Sequence, residues 1–128
     1  MSKVVIYEDS EEDLISRYGV LTKDHDVHVR HDPRGSFGPS SLRWDHESFK
    51  EYGFNPDNFM DGFGVPQDEN ADVYFLDGLN SYCFEILDHL PKEKSFINTD
   101  SFSIEDEARK RGFNLVTQSV ENIVTQFC

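Results

Sequence analysis

Val73-Tyr74-Phe75-Leu76-Asp77-Gly78 is the stretch on which the fold turns. Four consecutive large apolar residues leave no polar face, which suits a strand covered on both sides rather than one facing water. Asp77 and Gly78 end it abruptly. The residues that follow, Asn80 to Leu90, repeat Tyr82, Cys83, Ile86, Leu87 and Leu90 at helical spacing until Pro91 stops them. The same grammar opens the chain. Val4 to Tyr7 is an apolar run closed by Glu8 and Asp9. Ser10 then stands where it can cap a helix, with Glu11, Glu12 and Asp13 at the positive helix end. Leu14, Ile15, Tyr18 and Leu21 supply that helix's buried stripe.

Three further strands are expected. Residues 26–32 alternate, with Val27 and Val29 on one face and His28 and Arg30 on the other, as in a half-exposed or edge strand. Ser95 to Ile97 and Leu115 to Thr117 are short runs of the same kind. Between them Ser103 is the expected cap of a helix that ends at Arg109, Lys110, Arg111 and Gly112. A terminal segment with Val120, Ile123, Val124 and Phe127 completes the order. Strand and helix alternate about five times, so the predicted class is α/β, a three-layer parallel sheet flanked by helices.

Residues 33–72 break the rhythm. They hold four of the five prolines, and between 33 and 70 lie five of the eight glycines. A helix is expected over Ser41 to Tyr52, with Leu42, Phe49 and Tyr52 facing the core, and mostly loop over Gly53 to Asn70. The chain of 128 residues is read as one domain, 1–128, with 33–72 as an irregular insertion.

Twenty-five Asp and Glu against twelve Lys and Arg give a formal charge of -13. The acids are spread along the chain rather than collected in a tail, and eleven Phe and five Tyr supply enough apolar mass for a core. Such a field repels phosphate backbones and anionic membranes, so direct nucleic-acid and membrane binding are not expected. It favours a protein partner with a basic surface, or a divalent cation. No apolar run approaches the roughly 20 residues a bilayer span needs. The acidic N-terminus and two cysteines, Cys83 and Cys128, fit a cytoplasmic, reduced protein.

In a parallel α/β sheet, ligands collect beyond the carboxyl ends of the strands. Three such ends carry oxygen-bearing residues: Glu8 with Asp9, Asp77, and Thr99 with Asp100. If the strands are neighbours, Asp9 and Asp77 can share one Mg²⁺, with the backbone carbonyl of Leu79 completing the protein's share. Asp77 then becomes a candidate nucleophile towards a phosphoryl group, and Thr99 a candidate phosphoryl contact. The plainer alternative is that strand-end carboxylates only start helices.

VVIYEDS, VYFLDGL, SFINTDS and IEDEARKRGFNLVTQS together resemble a response-regulator receiver domain, which has a flavodoxin-like fold. The resemblance covers about two thirds of the chain. It implies that Glu8, Asp9 and Asp77 hold Mg²⁺, that Asp77 accepts a phosphoryl group and that Thr99 is the switch hydroxyl. It also implies regulation through protein binding rather than turnover. Two departures argue for an atypical or degenerate member. After GFNLV, where the family has a phosphate-contacting lysine, stand Thr117, Gln118 and Ser119. The enlarged 33–72 segment places Asp77 68 residues after Asp9.

The sequence therefore carries three functional expectations. The first is a non-enzymatic regulatory module with a vestigial Mg²⁺-binding pocket. The others are an acidic inhibitor that mimics nucleic acid in a partner's basic groove, and a Mg²⁺-dependent aspartyl phosphoacceptor. His25, His28 and His31 lie on an alternating strand where His28 faces away from the other two, a poor metal geometry. His46 and His89 are expected on helix surfaces, and Cys83 in the core. Trp44, Phe59 and Phe63 are either a satellite core or a protein-binding patch.

Overall fold

The computed structural model describes residues 2–31, 45–61 and 70–127. Six strands form one sheet: β1 (Lys3–Tyr7), β2 (Asp26–His31), β3 (Phe59–Asp61), β4 (Val73–Leu76), β5 (Ser95–Ile97) and β6 (Asn114–Leu115). Their order across the sheet is β3-β2-β1-β4-β5-β6, and every pairing is parallel. Among the described residues four α-helices accompany them: α1 (Glu11–Tyr18), α2 (Cys83–Leu87), α3 (Phe102–Arg111) and α4 (Val120–Thr125). This is the expected α/β architecture of the flavodoxin-like kind, with β3 added outside β2.

The expectation of a half-exposed or edge strand over 26–32 is corrected by β3. It pairs with β2 from Val29–Phe59 to His31–Asp61, so β2 is an interior strand and Arg30 and His31 are buried. Mostly loop was expected here from the turn residues between Gly53 and Asn70; three residues of it become a strand by pairing with Val29–His31. The expected helix over 41–52 is a 3-10 helix, His46–Tyr52, capped by Asp45 and ended by Gly53 at φ 93°. Phe49 is buried, but Tyr52 is exposed. A second 3-10 turn, Pro56–Asn58, leads into β3. The described part of the insertion is thus ordered sheet and helix. Leu42, Trp44, Phe63 and Cys128 lie outside the described residues.

Right-handed crossovers explain the layering. The chain moves one way along the sheet from β1 to β2 and β3, and the other way from β4 to β5 and β6. Its connections therefore fall on opposite faces. One face packs Val4, Ile6, Val29 and Phe75 against Leu14, Tyr18, Phe49, Ile123 and Val124. The other packs Val5, Tyr7, Leu76 and Ile97 against Leu79, Cys83, Ile86, Ile104 and Ala108. Alternation within β1 feeds both cores, so its residues 4–7 are all apolar.

Ser10 caps α1 as expected, its hydroxyl accepting from the Asp13 amide at 3.2 Å. The cap of α3 is Ser101 rather than Ser103. Its Oγ accepts from Ile104 N, and the helix starts at Phe102. Two serines at this spacing present the same local signal, and the strand end at Ile97 brings the chain into the turn early enough for the first to act. Gly112 at φ 76° closes α3 in the left-handed region.

Candidate functional site

The sheet's direction of winding reverses between β1 and β4, and the region beyond their carboxyl ends is where an open α/β sheet generally forms its ligand crevice. Ladder hydrogen bonds hold the tips in register. Glu8 N donates to Arg30 O at 3.2 Å, Asp77 N to Tyr7 O at 2.9 Å, and Asn98 N to Leu76 O at 2.7 Å. Residues far apart in sequence therefore emerge side by side.

Glu8, Asp9 and Asp77 form an acidic group that could hold a metal ion, with one ligand atom from each lying within 4.8 Å of the others. Glu8 is fully buried. Its Oε1 accepts from the Asp9 and Ser10 amides at 3.0 and 3.1 Å. Its Oε2 is buried and, among the described residues, receives no hydrogen bond. A buried carboxylate oxygen without a donor is costly, and it is what a cation would satisfy. Burial, and then the charge of Asp77, push the Glu8 carboxyl up to about 9. Burial also raises Asp77, opposed by the Leu79 amide.

These oxygens fit a hard divalent cation by chemistry. On Mg²⁺, with its roughly 2.1 Å bond, adjacent ligands stand about 3.0 Å apart and opposite ones about 4.2 Å, so the group would draw together to take one ion. Leu79 enters differently from the sequence expectation. Its N–H donates to Asp77 Oδ2 at 3.0 Å, while its carbonyl accepts from Tyr82 N at 3.0 Å. The amide thus orients the Asp77 carboxylate, and the carbonyl is engaged in the 3-10 turn Leu79–Ser81. Leu79 is buried with φ 50°, an uncommon conformation for a branched residue, and Ser81 follows at φ 77°.

Thr99 stands at the tip of β5 beside this turn. Its Oγ1 accepts from Ser101 N at 3.1 Å. A Cβ on Gly78 would lie 3.0 Å from that hydroxyl and would collide with Ile104 Cδ1. Absence of a side chain at 78 is what lets the Asp77 turn approach the tip of β5.

Arg17 is a candidate site residue that the sequence pattern does not single out. It lies in the last turn of α1, and its side chain, 15% exposed, reaches over the crevice. Nη1 is 3.6 Å from Glu8 Oε2, 3.4 Å from Asp77 Oδ1 and 3.0 Å from the Asn98 carbonyl. Nη2 is 2.8 Å from Asp100 Oδ2 and 3.8 Å from Asp13. Its spacing from Asp13 gave only the signal of a routine helix-surface pair. Thr117 to Ser119, after β6, carry no cation; Arg17 of the first helix is the basic group placed beside Glu8 and Asp77.

Elsewhere, Tyr18 is buried and its hydroxyl accepts from Asn98 Nδ2 at 3.2 Å. Cys83 is buried, and burial with the charge of Asp77 pushes its thiol up to about 12, which removes it as a nucleophile. His46, expected on a helix surface, is half-buried, its Nε2 lying 2.9 Å from His31 Nε2. No helix among the described residues is long and apolar enough to cross a membrane.

Comparison with known proteins finds no matching family model, curated protein or solved structure. What the fold and the strand tips define is a class: a flavodoxin-like α/β protein with an acidic group at its switch point, Glu8 of it buried.

Proposed function

We propose that this chain is a regulatory protein-binding module, receiver-like in fold, whose acidic pocket takes Mg²⁺. One observation carries the reading: Glu8, Asp9 and Asp77 converge at the switch point, with an undonated buried oxygen on Glu8. Helix-starting contacts use only part of this group: Asp77 accepts from the Leu79 amide and Glu8 Oε1 from the Asp9 and Ser10 amides, while Glu8 Oε2 is left without a donor. Thr99 beside the Asp77 turn supplies a hydroxyl on the neighbouring strand tip, as a receiver requires. Binding of a cation would draw Asp77 from the Leu79 amide and shift the turn that leads into α2. The module acts by presenting that altered face to a partner, not by turnover.

Isothermal titration with MgCl₂ tests the pocket. Binding to the native protein that is lost in Asp77→Asn supports it; no heat of binding in a folded protein removes it. A small phosphodonor plus Mg²⁺, followed by intact mass, tests the phosphoacceptor version. A gain of about 80 Da, the mass of one phosphoryl group, absent in Asp77→Asn, assigns Asp77 that role.

The charge of -13 favours a second reading, an acidic inhibitor occupying a partner's basic nucleic-acid groove. Competition against duplex DNA for a basic DNA-binding protein separates it from the first. In both readings the partner is a protein with a basic surface, and the cytoplasm is the proposed location.

A further inference from the structure

We infer that Arg17 is a built-in competitor for the divalent cation of the acidic pocket, a guanidinium that must swing aside when the metal enters. This rests on the pocket being a cation site, as proposed above. The argument comes from how unevenly Arg17 is held. Its shortest hydrogen bonds are on the β5 side: Nη1 to the Asn98 carbonyl at 3.0 Å and Nη2 to Asp100 at 2.8 Å. Towards the acidic group its contacts are longer, a 3.4 Å hydrogen bond from Nη1 to Asp77 Oδ1 and a 3.6 Å approach to Glu8 Oε2. The guanidinium offsets negative charge there without donating a hydrogen bond to Glu8 Oε2, which stays buried and undonated.

A compact dication seated on Glu8, Asp9 and Asp77 would reach the oxygen that Arg17 does not. It would also repel the guanidinium, since like charges a few ångströms apart in a partly dry crevice interact strongly. Arg17 has a way out. The Asp100 side chain is 93% exposed, so it can follow the guanidinium towards solvent with their ion pair intact. Metal entry then exchanges the contacts of Arg17 with Glu8 and Asp77 for freedom at the tip of β5. The pocket is thereby coupled to the Asn98–Asp100 turn and the start of α3. The arrangement sets a threshold: in the free protein one guanidinium partly offsets the acids, and Mg²⁺ must displace that internal cation to bind.

The test is isothermal titration of MgCl₂ into the native protein, Arg17→Gln, and Lys23→Gln as a charge-matched control away from the pocket. Arg17→Gln is expected to bind Mg²⁺ roughly tenfold or more tightly than the native chain, with Lys23→Gln unchanged. A folded Arg17→Gln that binds no more tightly than a Mg²⁺-binding native protein overturns the competitor role while leaving the pocket standing. No binding by any folded form overturns both. Should Arg17→Gln fail to fold, hydrogen exchange of the Arg17 guanidinium in the native protein decides. Protection lost on saturation with Mg²⁺ supports displacement; protection retained at saturation overturns it.

Discussion

Arg17 and Asp77 stand 60 residues apart in sequence and 3.4 Å apart in space, joined across the crevice between α1 and the tip of β4. Their meeting requires that α1 return along the sheet beside β1 and that β4 pair directly with β1. Parallel pairing of Val4 to Tyr7 with Val73 to Leu76 provides the second condition. Burial of Leu14 and Tyr18 against the sheet provides the first.

Glu8 makes the metal-free protein less stable as pH rises. Its carboxyl ordinarily titrates near 4.5, and burial with Asp77 moves it to about 9 in the fold. Between those values the folded chain holds a proton that the unfolded chain has lost. Its stabilising contribution is full below pH 4.5 and disappears as pH climbs through 9, at a slope of at most about 1.4 kcal/mol per pH unit. Urea midpoints measured in EDTA should fall from pH 5 to pH 8, and Glu8→Gln should flatten the trend. An equal slope in both proteins would contradict this account of Glu8.

Gly78→Ala should destabilise the fold by about 1–3 kcal/mol through overpacking. The new methyl meets Ile104 Cδ1 and crowds Thr99 Oγ1, so the Asp77 turn must retreat from β5. Urea denaturation reads the loss. A variant as stable as the native chain would mean that the two tips are not in close approach.

Phe49 tests whether the enlarged segment belongs to the core. It is 1% exposed and packs edge-on to Phe54 and against Phe59, with ring centroids 6.0 and 5.0 Å away. Phe49→Ala should cost about 3–5 kcal/mol, as expected for a buried aromatic. Phe102, 76% exposed at the start of α3, is the contrast: Phe102→Ala should change stability by no more than about 0.5 kcal/mol. Similar small effects at both positions would show the segment to be peripheral.

Much of the architecture was legible because its signals are local. The apolar runs at 4–7 and 73–76, the Ser10 cap and the Gly112 stop each depend on residues within a turn or two. The acids at the strand ends were legible for the same reason, as each directly follows its strand. Ser101 was passed over for Ser103 because two candidate caps two residues apart differ only in where the preceding strand releases the chain. β3 was missed because Phe59–Asp61 lies among the turn residues of 53–70, and its identity as a strand comes from the backbone of Val29–His31 beside it.

Taken alone, the sequence determined a parallel α/β protein, five of the six described strands nearly in place, with oxygen-bearing residues at or just beyond the tips of three of them. Periodicity reports which face of an element is apolar, and that suffices to choose layers. Strand order, and with it the neighbours of each tip, was decided only by tertiary structure. Parallel pairing joins segments tens of residues apart, and no local pattern records which ones. Arg17 reaching Glu8, Asp77 and Asp100 across 9, 60 and 83 residues is such a relationship: its helix spacing disclosed a partner at Asp13, while the packing of α1 beside β1 and β4 supplied the others.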